Sequence, residues 1–325
     1  AVGRTFDSCR GHQKATSLYV AFSFYFKIFP FNFLNYLSIP MWIYLSICIV
    51  LTLFYAVIMA IYLHSWKNTK AFSSSIEFPL PSVSIVIPVR NEELHIEQLI
   101  KDILAQDYPA HLIEIIIVDD HSEDKTPEIV RKYQNENIHL ISLDQYLKDQ
   151  GVSTAYKKKA IEAGVQSAKG QLIMTTDGDC HVSKQWINSM VNIWHSSGAK
   201  LLTGAVVMTE TDTFFKKFQS LDFLGMMGIT AAMLNLKIYN MANGANLLYE
   251  KSAFESVNGF SGIDHLASGD DMLLMYKIAQ KYDGAVAYAK HPDAVVYTKT
   301  MSTLKDFLQQ RFRWTAKSKD YQDQR

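Results

Sequence analysis

The feature that most constrains this chain is a run of 23 residues without a charge, Met41 to Leu63, reading MWIYLSICIVLTLFYAVIMAIYL. At ~1.5 Å per helical residue it can cross the ~30 Å hydrocarbon core of a bilayer. A helix of a globular core normally keeps a polar face, and this stretch has almost none. A cleaved signal peptide is the rival reading, but its apolar region is ~7–15 residues long and ends at a small-residue cleavage site. Here His64, Ser65, Trp66 and Lys67 follow instead. The sequence therefore predicts a transmembrane helix over 41–64. Lys67 and Lys70 place its far end in the cytoplasm by the positive-inside tendency, which puts the chain in the cell (inner) membrane with its soluble part cytoplasmic.

Residues 1–40 fit this less simply. The chain begins at Ala1, and its first methionine is Met41. Leu18 to Leu37 is apolar and aromatic but is interrupted by Lys27 and Pro30. The stretch reads as an interfacial or second membrane segment, or as sequence upstream of the true start, with the last preferred. If it belongs to the protein, Arg4, Arg10 and Lys14 weaken the orientation argument.

Composition then excludes several classes. Lys+Arg and Asp+Glu are both 32, which removes the basic footprint of a general nucleic-acid binder. Hydrophobic residues make up 48%, too many for a disordered chain. Cys9, Cys48 and Cys180 are odd in number and far apart, so neither a disulfide scaffold nor a cysteine zinc site is expected.

A linker is expected over 65–81, where Ser and Pro gather from Phe72 to Pro81. Beyond it, β-branched runs alternate with amphipathic stretches. Strands are predicted at Val83–Ile87, Ile113–Val118, Ile138–Ser142 and Gln171–Thr175. Helices are predicted at Asn91–Gln106, with Leu94, Leu99, Ile103 and Leu104 inward, and at Lys157–Ala168. Thr126 reads as an N-cap before Pro127, and Ser183 as the cap of a helix running toward His195. The alternation argues for an α/β domain with a mixed, mostly parallel sheet, spanning 82–318. A tail at 319–325 follows, expected to lead into further membrane helices.

Ligands of such sheets bind beyond the carboxyl ends of the strands. Two of those ends carry paired acids, Asp119-Asp120 and Asp177-Gly-Asp179. Paired carboxylates are costly unless a cation or hydrogen-bond donors receive them. Mg²⁺ or Mn²⁺ with a phosphorylated ligand meets that need. Either pair alone is equally well read as a loop cap or a turn.

The ordered set of motifs says more. SIVIPVRNEE (84–93), IIIVDDHSEDKT (115–126), TTDGDC (175–180), SGDDMLL (268–274) and QRFRW (310–314) together resemble the family 2 glycosyltransferases. The likeness is closest to their membrane-anchored branch, with its D, D-x-D, E/D-D and Q-x-x-R-W signature, and covers about Ser82 to Trp314. It implies a Rossmann-like GT-A fold and inverting transfer of a sugar from a nucleotide donor, UDP being the commonest carrier in the family. The acceptor implied is a lipid or a glycan. Carried over, Pro88, Asn91 and Glu92 border the nucleoside pocket, and Asp119 and Asp120 contact base and ribose. Asp177 and Asp179 are the D-x-D pair, with Asp179 on the metal. Asp271 is the general base. Gln310, Arg313 and Trp314, with Asp270, serve the diphosphate and acceptor side. Lys157 is the implied diphosphate contact, although Lys158 and Lys159 stand beside it. Glu162 and Asp270 depart from the residues usual at their places.

These residue types suit the chemistry. Cleavage of an anomeric C–O bond leaves negative charge on a nucleoside diphosphate, which a divalent metal, Lys157 and Arg313 would stabilise. A carboxylate must take the acceptor hydroxyl's proton, and one at the start of a helix is favoured by the macrodipole. Trp314 can stack on a sugar face or serve as a core or interface residue. Asn243 to Asn246 reads as a donor-sugar pocket or a plain turn. His181 is better read as structural than as a metal ligand. Phe214–Leu236 and Thr303–Trp314 read equally as bilayer-surface helices or as core packing.

Other functions on the same pattern are a processive polysaccharide synthase and a silent nucleotide-binding scaffold. A nucleotidyltransferase is disfavoured, because Pro88 to Glu92 holds no glycine for a phosphate loop.

Overall fold

A computed structural model describes residues 41–71, 78–148, 156–239, 241–262 and 269–316. The 1–40 segment, most of the Ser/Pro linker, the 319–325 tail and the Arg313 side chain lie outside them. The chain divides into two units, 1–60 and 61–325.

Helix α1 runs from Met41 to Asn68. It is long and apolar enough to cross a membrane, and of its residues only Ser65 is buried. The helix ends later than predicted, at Asn68, and its last turn, which belongs to the second unit, is held within that unit. Ser65 Oγ donates to the Ala232 carbonyl at 2.7 Å, and Lys290 Nζ donates to the Trp66 carbonyl at 2.6 Å. The predicted linker is therefore ordered helix at its start.

In the second unit the elements run β1 (Val83–Val89), α2 (Ile96–Leu104), β2 (Ile113–Asp119), α3 (Thr126–Arg131), β3 (Ile138–Ser142), α4 (Leu143–Leu147), α5 (Tyr156–Ser167) and β4 (Leu172–Thr175). Then follow β5 (His181–Val182), α6 (Trp186–Ser197), β6 (Leu201–Gly204), β7 (Val206–Met208), α7 (Phe214–Asn235) and β8 (Leu247–Glu250). The rest are α8 (Lys251–Ser256), α9 (Asp270–Lys281), β9 (Val286–Ala289), β10 (Val296–Thr298) and α10 (Leu304–Ala316). Seven strands form one sheet in the order β3-β2-β1-β4-β8-β6-β9, and β5-β10-β7 form a smaller one. In the large sheet only β8 runs against its neighbours, so the expected mixed, mostly parallel architecture is what the chain builds.

The strand period of two explains how the sheet is covered. Val83, Ile85 and Ile87 of β1 and Ile115 and Ile117 of β2 belong to one core, shared with the buried faces of α2 and α6, while Val86, Ile116 and Val118 belong to a second core that includes α5 and α9. Gly164 on α5 makes the second contact close. A Cβ there would lie 2.4 Å from Val86 Cγ1.

Three local expectations change. Leu94 and Leu104 point outward, and Ile96, Leu99, Ile100 and Ile103 form the buried stripe of α2, because residues 91–95 turn before the helix starts. Thr126 sits inside α3, after Lys125 as the cap, and its hydroxyl accepts from Glu92 N at 2.7 Å. Ser183 donates to the Asp293 carbonyl instead of capping α6, which begins at Trp186.

Candidate active site

Chain order β1, β2, β3 proceeds outward along one side of β1, and β4 returns to its other side, so the crevice opens at the carboxyl ends of β1 and β4. The loops leaving β1 and β2 are stitched together there. Asn91 takes a left-handed backbone, φ 58°, which asparagine tolerates. Its N–H donates to Ser122 Oγ at 2.9 Å, and its side-chain oxygen accepts from Glu123 N at 2.8 Å. Glu93 N donates to Asp124 Oδ2, and Asp120 N to the Val89 carbonyl. Pro88 lies half-buried beside Val118 on this rim. Asp119 ends β2 with a buried Oδ1 that has no hydrogen-bond partner. Asp120 receives His121 Nδ1 at 2.7 Å.

The D-x-D turn follows β4. Gly178 lets it press on the β1 outlet, since a Cβ there would meet Val89 and Glu92 side chains at 3.0 Å. Asp177 Oδ1 lies 2.7 Å from Lys157 Nζ. Of the three adjacent lysines, Lys157 meets the D-x-D turn through Asp177; Lys158 is buried, and Lys159 meets Glu162 at 2.7 Å. Burial works against the Lys157 ammonium, but Asp177, Asp270 and Asp271 outweigh it and hold it above its ordinary value. Asp179 Oδ2 accepts from Thr298 Oγ1 at 3.1 Å.

Glu92 completes this group. Burial, with Asp179, Asp177 and Asp124 nearby, pushes its carboxyl up to about 7. His95 Nδ1 sits 3.1 Å from Glu92 Oε2, and burial together with Lys299 lowers that imidazole. Both members of the pair are thereby driven toward their neutral forms.

Asp270 and Asp271 open α9 after Gly269, whose φ of 87° suits glycine. Asp271 Oδ2 accepts from Gly244 N at 3.0 Å, and its Oδ1 from Met272 N at 2.8 Å. The Gly244 carbonyl accepts in turn from Thr175 Oγ1 at 2.6 Å, tying the end of β4 to the base of the site. A Cβ on Gly244 would lie 3.7 Å from both Asp270 Oδ2 and Asp271 Oδ2. Asn246, at the other end of that turn, is structural: it donates to the Ala205 and Ala294 carbonyls and accepts from Trp186 Nε1.

The α10 motif is seated on α7. The Trp314 ring packs 5.5 Å from that of Phe223, with the Arg311 guanidinium 4.4 Å over it. Arg311 also pairs with Asp222 at 2.6 Å. Gln310 holds a buried Oε1 without a hydrogen-bond partner. His181 meets Asp102 at 3.2 Å.

The family model for glycosyl transferase family 2 matches residues 84–257. The chain belongs to glycosyl transferase family 2. It is 28% identical over 197 residues to the glycosyltransferase AglE of Haloferax volcanii, a match covering 59% of this chain and 60% of that one. It is 32% identical over 140 residues to the dodecaprenyl-phosphate galacturonate synthase of Rhizobium johnstonii, covering 42% and 40%. The chain thus spans less than two thirds of the length of either relative. Among solved structures it is similar to the mannosyltransferase PcManGT of Pyrobaculum calidifontis in complex with GDP-Man and Mn²⁺, at TM-score 0.59 and 19% identity over 82% of this chain and 72% of that one. The fold is accordingly of the GT-A type.

Some residues of the candidate site have no signal in the sequence. Thr298 reaches Asp179 from β10, 119 residues away. His95 is one of ten histidines and stands in no motif. His121 lies inside the Asp-Asp-His-Ser run, where its neighbours were the only clue.

Proposed function

We propose that the protein is a membrane-anchored, inverting glycosyltransferase that moves a sugar from a nucleotide-sugar donor, a UDP-sugar by resemblance, to a lipid or envelope-glycan acceptor. The observation that carries this reading is the contact of Lys157 with Asp177 after β4, with the charges of Asp270 and Asp271 also acting on the Lys157 ammonium. A similar fold bound to GDP-Man and Mn²⁺ supports the nucleotide-sugar part.

In this reading Pro88, Asn91, Glu92, Asp119 and Asp120 line the nucleoside side. The buried, unpartnered Asp119 Oδ1 is an acceptor that a ribose hydroxyl or a base N–H would satisfy. Lys157 and Arg313 hold the diphosphate. Asp271 takes the acceptor proton; Gly244 N–H and Met272 N–H aim its carboxylate, and one base acting in one displacement inverts the anomeric carbon. Gln310, Trp314 and Asp270 serve the acceptor side, with Trp314 steadied by Phe223 and Arg311.

The acids suit a divalent ion. Glu92 is driven toward its neutral form first by burial and then by Asp179 and Asp177, so added positive charge beside these acids would relieve part of that cost. Among the described residues no three His, Cys, Asp or Glu side chains form a metal cage. Asp179, with Asp177 beside it, would therefore hold Mg²⁺ or Mn²⁺ jointly with phosphate oxygens, as such ions prefer. The ion would supply Lewis-acid stabilisation of the departing diphosphate.

A bilayer as partner is supported by α1 and by two helices of the domain. On α7, Phe214 is 87% and Leu221 72% exposed, and Phe312 on α10 is 69% exposed. Their exposure supports the lipid-facing reading of these helices over core packing. A relative named for dodecaprenyl-phosphate favours a lipid acceptor.

The test is nucleoside diphosphate release from membranes carrying the full chain, offered UDP- and GDP-sugars with Mg²⁺ or Mn²⁺. Release from one donor, lost with chelator and in Asp271→Asn, is expected. Silence from protein that binds neither UDP nor GDP would overturn the reading.

A further inference from the structure

His121 follows the two acids that close β2, and it takes a left-handed backbone, φ 58°. That conformation swings its ring between two carboxylates. Nδ1 lies 2.7 Å from Asp120 Oδ1, and Nε2 lies 2.9 Å from Asp144 Oδ1 on α4. The Tyr156 ring of α5 meets the imidazole edge-on at 5.4 Å, one residue before Lys157. Among the described residues, Asp120, Asp144 and Tyr156 are the titratable groups that face it.

A carboxylate oxygen accepts and does not donate, so an imidazole satisfying both partners must carry a proton on each nitrogen, which is the cation. The hydrogen bond to Asp120 raises the imidazole, burial opposes it, and the Asp144 hydrogen bond adds to the rise. Asp120 is mostly buried, whereas Asp144 is exposed. Loss of one proton therefore falls on Nε2: the exposed Asp144 turns to water, the ring loses its tether to α4, and the hydrogen bond that holds Asp120 loses its charge assistance.

We propose that His121 is a cationic latch that holds Asp120 toward the donor nucleotide, making nucleotide affinity depend on pH through the imidazole. His121 is a positioning residue, and the proposal rests on the donor-site reading above.

The experiment measures binding of UDP and of GDP, each with Mg²⁺, to the full chain in detergent between pH 6 and 9.5, for the wild type, His121→Asn and Asp144→Asn. Asparagine tolerates the left-handed backbone and is neutral throughout. In the wild type, affinity is expected to fall roughly tenfold as the imidazole deprotonates, the size of a lost charge-assisted hydrogen bond. His121→Asn is expected to start weak and follow only the titration of the nucleotide itself. Asp144→Asn leaves the imidazolium one carboxylate fewer and is expected to move the fall to lower pH. Since Asp144 is exposed, that variant keeps the test open if His121→Asn folds poorly. Variant profiles that superimpose on the wild type overturn the latch alone. A wild type that binds neither nucleotide at any pH overturns the donor-site reading and the latch with it.

Discussion

Lys157 Nζ lies 2.7 Å from Asp177 Oδ1, and this pair joins the start of α5 to the turn after β4. The contact sets a cation against the D-x-D acids, where the proposed diphosphate would leave. Lys157→Met is expected to lower kcat/KM by about 10²-fold, the usual cost of one charge-stabilising group. Donor titrations with and without metal check this. An unchanged value would mean the lysine only balances Asp177.

Asp271→Asn keeps an oxygen for the Gly244 N–H but removes the proposed base. Turnover is expected to drop about 10²–10⁴-fold while nucleotide binding stays near the wild-type value. Steady-state kinetics beside UDP or GDP binding separate the two. Equal losses in both would point to a binding role.

Gly244→Ala tests whether that turn borders the donor sugar. The added methyl would stand 3.6 Å from Asp271 Cβ, ordinary contact distance, so the fold is expected to tolerate it. The melting temperature should stay close to wild type while donor KM rises several-fold. A variant with wild-type kinetics removes the turn from the pocket.

Glu92 makes stability depend on pH. Its folded carboxyl titrates near 7 and its ordinary value is 4.5, so folding takes up a proton between those limits. Its favourable contribution is complete below about 4.5 and gone above about 7. Glu92→Gln, neutral at all pH, is expected to melt above the wild type at pH 8, by on the order of 1–3 kcal/mol, and close to it at pH 5. Mn²⁺ should narrow the pH 8 gap by stabilising the wild-type carboxylate. Thermal melts at both pH values decide it, and a gap largest at pH 5 has the wrong sign.

Gly164→Ala addresses packing alone. Its Cβ would fall 2.4 Å from Val86 Cγ1, so either α5 or β1 must shift. Destabilisation of about 1–3 kcal/mol is expected, read from denaturant or thermal unfolding.

The sequence by itself determined the features carried by local pattern. The uncharged run 41–63 and the β-branched strands read at 83–87, 113–118 and 138–142 show in charge and period, and the paired acids fall at strand ends because those ends terminate the apolar runs. Their order along the chain was enough to place it in its family. Tertiary structure decided which atoms meet. Thr298 reaches Asp179 only because β10 pairs between β5 and β7. Lys157 is separated from Lys158 and Lys159 only by the way α5 packs on β1 and β2. Leu94 and Leu104 misled the helix reading because hydrophobicity does not reveal where a loop ends and a helix begins. The His121 bridge depends on α4 carrying Asp144 to the ring, 23 residues along the chain. Local periodicity records burial, whereas contacts between distant segments follow from how the strands cross over, and that is written in no single stretch of sequence.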